Sequence, residues 1–165
     1  MAENKEAVSQ RRGRFFAYAP LFLWAVVILV LGSGPGSSAQ TSRIIKPIIE
    51  FFFPGAAPDT FLLVHAFIRK SAHFIEYAVL GLLAVRAFRR SASPTLRRHW
   101  AGFAFLTVVM IAGIDEFNQS FNISRTGSGW DVLLDLAGAV SAILICVAVV
   151  VRKWAAARRE ERRGE

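Results

Sequence analysis

Three stretches of this chain are too long and too poor in charge for a soluble domain of its size. Phe15 to Leu31 has no charged side chain, Ala101 to Ile114 has none, and Val132 to Val151 has only Asp135. A hydrocarbon core about 30 Å thick is crossed by about 20 helical residues, and in lipid a helix satisfies its own backbone hydrogen bonds. A fourth apolar stretch, residues 66–88, carries polar groups inside it. The expectation is an all-α integral membrane protein, a four-helix bundle with approximate spans at 15–33, 66–88, 100–118 and 130–151, forming a single domain over 1–165.

Charge supports that class and excludes another. The formal net charge is +8 over 165 residues, which in a soluble protein would suggest nucleic acid. Here the basic residues gather outside the apolar runs: residues 86–99 hold five Arg, and 152–165 hold five Arg and one Lys. No nucleic-acid fold or aromatic–basic interleaving accompanies them. The one cysteine, Cys146, lies in the last apolar run and reads as a small buried hydrophobe.

Taken in order, residues 1–14 read as a short solvated tail before the first span. Basic start, apolar core and small residues up to Ala39 also fit a signal peptide, but the segment is long enough for a first span and is read as one. GSGPGSSAQTS then breaks the helix. Residues 41–60 are apolar but interrupted by Lys46, Pro47 and Glu50 and stopped by Pro54. That pattern predicts an interfacial or re-entrant segment between helices 1 and 2, either a lid for a ligand or a space-filling loop. The start of the second span is open between Asp59 and Ser71. Residues 89–99 form a charged connection turning at Pro94.

The N-terminal tail, the 89–99 connection and the C-terminal tail are the strongly basic segments. Alternating spans bring all three to the cytoplasmic side, which makes a multi-pass protein of the cytoplasmic membrane with both termini in the cytoplasm. The outward ends of the later spans then carry the polar groups. On the second span, Arg69, His73, Glu76 and Leu80 form one stripe by helical spacing, with Lys70 and Tyr77 beside it. The third span contributes Asp115, Glu116 and Gln119; the connection after it contributes Arg125. The fourth contributes Asp131, Asp135 and Gly138, whose missing side chain allows close approach. Ionisable groups at such depth are costly and normally face protein or a water-filled cavity.

Two chemistries fit this set. In one, His73 or a carboxylate among Glu76, Asp115, Glu116 and Asp131 acts as a general base. Arg69, Lys70 and Arg125 then hold an anionic group, with Tyr77, Gln119 and Asp135 as further binding groups. In the other, Glu76, Asp115, Glu116 and His73 hold a divalent metal, although no specific ligand spacing requires one. The plainer alternative is a satisfied polar network that sets helix register. The cytoplasmic halves Gly81 to Val85, Ala101 to Thr107 and Gly138 to Val151 lack charge, which favours an outward-opening pocket over a transport path.

The blocks Arg69-Lys70-x-x-His73-Phe74-x-Glu76-Tyr77-x-x-Leu80-Gly81, Asp115-Glu116-x-x-Gln119-x-Phe121 with Arg125, and Asp131-Val132-Leu133-x-Asp135-x-x-Gly138 resemble the VanZ-like family of small bacterial membrane proteins. The resemblance implies the polar positions just named, with Asp135 where the family commonly has Asn. It also implies a link to glycopeptide susceptibility, teicoplanin above all, without a settled reaction. The partners expected are membrane lipids and an amphiphile: a lipid-linked cell-envelope intermediate or a lipid-tailed glycopeptide antibiotic, which the protein modifies or hydrolyses. Non-catalytic binding that limits glycopeptide access and a structural or signalling role are the alternatives. Oligomeric state is left open.

Overall fold

The computed structural model describes residues 2–32, 38–55, 57–120 and 129–164. These form six helices: α1 (Ala2–Gly32), α2 (Ser38–Phe52), α3 (Pro58–Arg89), α4 (Pro94–Arg98), α5 (Trp100–Ser120) and α6 (Gly129–Gly164). The described protein is an all-α bundle and a multi-pass membrane protein. Three helical segments, Pro58–Arg89, Trp100–Ser120 and Val132–Arg163, are long and apolar enough to cross a bilayer. The apolar part of α1, Phe16–Gly32, is shorter.

Two boundaries differ from expectation for local reasons. Residues 2–14, read as a tail, continue α1, because Ala2, Glu3, Lys5, Glu6 and Ala7 are good helix formers and no proline separates them from the apolar run. Pro20 sits inside α1, where neighbouring helices can compensate the lost backbone bond. The helix containing the second span begins at Pro58, ahead of the range left open for that span. Ala57 is extended at its N-cap, and proline's fixed φ and missing N–H suit the first helical turn. Pro94 likewise starts the one-turn helix α4 within the charged connection.

Side-chain contacts fix the directions. Tyr18 meets Phe88 and Trp24 meets Glu76, so α1 runs antiparallel to α3. Phe103 meets Phe88 and Asp115 meets Tyr77, so α5 also runs antiparallel to α3. Gly138 lies against Phe74 and Gly81 against Ala139, so α6 runs parallel to it. The ends of α1 and α5 therefore share one pole of the bundle with the starts of α3 and α6. Beginning beside Arg89, α5 rises about 30 Å, while the 32 residues of α3 rise about 48 Å. The first three turns of α3 thus overhang the end of α5, and α2 packs against this overhang.

The core is built of small residues around a few large ones. Ala84, Ala87, Ala104, Ala112 and Ala139 surround Tyr77, Leu80 and Val108, all buried. Large apolar side chains such as Phe22, Phe105, Met110 and Ile145 point outward. Lipid tails are as apolar as leucine, so burying leucine gives little association energy in a bilayer. Close backbone contact gives more, and small residues permit it.

The most extensive pairing is α3 with α6. A Cβ at Gly138 would collide with the Phe74 carbonyl, and one at Gly81 would come within 3.0 Å of the Ala139 carbonyl oxygen. Neither backbone atom can swing aside. Gly138→Leu is expected to lower unfolding stability by about 2 kcal/mol or more through overpacking. Gly102→Ala, at an exposed site with nothing within 4 Å, should be neutral or slightly stabilising. Thermal melts of the two variants in nanodiscs compare these effects directly.

Candidate functional site

Positions 65, 69, 73 and 77 place His65, Arg69, His73 and Tyr77 four residues apart along α3. A step of four turns about 40° beyond a full revolution, so such a ladder winds slowly around its helix. Its members consequently meet different neighbours. His65 faces α2, His73 faces α6, and Tyr77 faces α5.

The Tyr77 contact is the most enclosed. The phenol donates to Asp115 Oδ2 at 3.2 Å, and Gln119 Nε2 donates to the same oxygen at 2.9 Å. Tyr77 is fully buried, Asp115 2% exposed and Gln119 5% exposed. The other oxygen, Oδ1, has no hydrogen-bond partner among the described residues and lies against the last residue of α1, Gly32. A side chain at position 32 would run into it. One carboxylate therefore joins α1, α3 and α5, and its solvent access is closed from three sides.

His73 is placed differently. Its Nδ1 stands 3.4 Å from Asp135 Oδ1 on α6, with the side chains 16% and 7% exposed. At that separation the two atoms face each other without a hydrogen bond between them, a loose arrangement that catalytic pairs often show before substrate is bound. The close approach at Gly138, one turn beyond Asp135, brings the two helices near enough for this contact. Nε2 is the ring nitrogen on the side away from Asp135. An imidazole oriented through Nδ1 by a carboxylate can accept or donate a proton at Nε2.

His65 completes the ladder. Its Nε2 lies 3.2 Å from Ser42 Oγ on α2, and its ring stacks on Phe61 at 5.9 Å. Beside this contact a cavity of about 640 Å³ opens between α2 and α3. Ile49, Phe53, Phe61 and Leu62 give it apolar walls; Lys46 and Glu50, 3.7 Å apart and exposed, stand at its rim.

The remaining expected residues are spread around this centre. The backbone carbonyl of Glu76 accepts from Trp24 Nε1 at 2.9 Å. The side chains of Arg69, Glu76 and Glu116 are partly buried, and Lys70 is exposed. Lys70 lines a separate shallow cavity with Phe67, Phe74 and Leu134. Asp131 falls within α6, but its side chain, like Arg125 as a whole, lies outside the described residues. Among the described residues, no three His, Cys, Asp or Glu side chains are grouped to hold a metal ion.

Three contributors escaped the sequence reading. Ser42 sat in what looked like a loop, and Gly32 looked like the first residue of the break. Trp24 had a usable signal: an indole N–H inside an apolar span needs an acceptor on a neighbouring helix.

No curated protein and no solved structure gave a significant match to the chain. The model of one family did, over residues 15–151, a stretch that runs from the apolar part of α1 through the whole polar cluster to the end of the apolar run of α6. With most of its length matched, the chain belongs to the VanZ/LLP1 family.

Proposed function

We propose that this protein works at the outer face of a bacterial cytoplasmic membrane on an amphiphile. The substrate class is a lipid-linked cell-envelope intermediate or a lipid-tailed glycopeptide antibiotic. In this reading α1 provides a fourth span, α2 lies at the membrane surface, and both termini are cytoplasmic. The observation that carries the proposal is that the His73–Asp135 pair and the apolar α2–α3 cleft both lie along the first half of α3, about 16 Å apart along its axis. An amphiphile asks for both, a place for an apolar tail and a polar group at its head.

His73 is assigned as general base, with Asp135 positioning its ring. The base takes a proton from water or from a substrate hydroxyl as that oxygen attacks the phosphorus or carbonyl carbon of the headgroup, whose bond to the leaving oxygen then breaks. The same proton then serves the leaving oxygen. Arg69 and Lys70, on the preceding turn of α3, supply positive charge for an anionic headgroup. Asp115 is assigned a different duty. Its closed surroundings suit a carboxylate that locks α1, α3 and α5 together, so Asp115 and Tyr77 hold the site's shape.

A second reading has a specific observation behind it. The enclosure of Asp115 is what a non-catalytic binding protein or a purely structural bundle would also show. Such a binder would shield the glycopeptide's target without breaking any bond.

Three outcomes are expected. In nanodiscs loaded with a lipid-linked envelope intermediate or a lipoglycopeptide, His73→Asn should lower turnover about 100-fold or more while ligand affinity stays near that of the parent. Parent protein that binds either compound and converts neither would leave the binding role standing in place of catalysis. Asp115→Asn should cost about 1–3 kcal/mol of stability by melting, with turnover per folded molecule largely kept. Sidedness is read in a Cys146→Ala background. There Ala92→Cys should react with an impermeant thiol reagent only from the cytoplasmic face, and Asp59→Cys only from outside.

A further inference from the structure

At the pole opposite the polar cluster, a cavity of about 450 Å³ opens beside α3 and α6. Leu82, Val85 and Cys146 form its apolar wall; Arg86, Arg89 and Arg90 form its rim. It lies about three turns along α3 from Tyr77, in the half of the bundle that the proposed reaction does not use. The Arg89 guanidinium sits 5.7 Å from the centre of the Trp100 ring, and Tyr18 packs edge-on against Phe88 at the same level. A belt of Trp, Tyr and Arg at the end of apolar helices marks the boundary between hydrocarbon and headgroups.

We propose that this cavity is a headgroup site for an anionic phospholipid. The phosphate stands among the guanidinium groups of Arg86, Arg89 and Arg90, and the first methylenes of the chains run along Leu82, Val85 and Cys146. Planar guanidinium groups bind phosphate oxygens two at a time, which a lysine cluster does not. Free phosphate would leave the apolar wall uncovered. A zwitterionic headgroup would bring its own cation toward three arginines and lose much of the attraction. The volume falls in the usual range for small-ligand sites, about 300–1,000 Å³. Basic pockets between membrane helices are established headgroup sites in general. Such a site requires neither the proposed reaction nor a particular face of the membrane for this pole.

Cys146, the only cysteine in the chain and part of the cavity wall, provides a reporter. The full chain is placed in phosphatidylcholine nanodiscs with and without phosphatidylglycerol, and the rate of Cys146 modification by uncharged N-ethylmaleimide is followed. Phosphatidylglycerol is expected to slow modification about fivefold or more, the effect of roughly one basic contact at a membrane surface. In Arg86→Gln/Arg90→Gln the slowing should largely disappear, and less phosphatidylglycerol should stay with the purified protein. Should the double variant fail to fold, Arg90→Gln alone, at an exposed position, should still reduce the slowing by about half or more. Equal rates in the two lipids would overturn the proposal. So would variants slowed as much as the parent, because a general surface-potential effect acts on all of them alike.

Discussion

The contact between Gly138 and the Phe74 carbonyl sets the distance on which the rest of the bundle depends. Helices in lipid gain little by burying leucine against one another, since tails of the bilayer offer the same environment. What draws α3 and α6 together is backbone proximity at Gly138 and Gly81, with Ala139 between them on the facing surface. At that spacing a short Asp side chain from α6 can face a His from α3. With bulkier residues the same two groups would be held apart by a layer of hydrocarbon. The polar pair is thus a consequence of the packing, and the packing is a consequence of missing side chains.

A second constraint divides the polar groups by role. Asp115 has its oxygens filled or covered by Tyr77, Gln119 and Gly32, whereas His73 keeps some exposure and faces its acid at a loose distance. A carboxylate closed off by its neighbours is poorly placed to meet a substrate, and its removal exposes partners that were desolvated for its sake. A loosely held imidazole has the opposite character. The surroundings of these groups therefore differ in ways that residue type alone does not reveal.

Much of this plan was legible in the chain. Charge-free runs located the helical regions, and four-residue spacing put Arg69 and His73 on one face of one helix. Position in an apolar environment marked Asp115 and Asp135 as residues with partners. Partnership across helices was not legible, because helical spacing describes a single cylinder and says nothing of its rotation against another. Glu76 is the nearest acid to His73 along the helix, whereas the acid at ion-pair distance is Asp135 on α6. Ser42 was hidden for a related reason. A serine beside glycines reads as loop, and only the antiparallel return of α2 along α3 brings it to His65. The Asp131 side chain and the whole of Arg125 lie outside the described residues, so their expected roles stay with the sequence.

The two poles of the bundle make different physical demands. At one, α3 overhangs α5 by about three turns, and α2 covers part of the overhang with Ile45 and Ile49 while leaving Phe51, Phe52 and Phe53 exposed. That arrangement leaves apolar surface that water would not favour and that lipid or another apolar group would cover. At the other, arginines and Trp100 gather where α3 turns into α5. Cations at that level resist sliding into hydrocarbon and hold the bundle's depth. Depth matters to the first pole: a vertical shift of one helical turn, about 5 Å, would carry His73 and Asp135 a turn deeper into lipid or further into water. An anchor at the basic end is therefore coupled, through three rigid helices, to how wet the polar cluster can be.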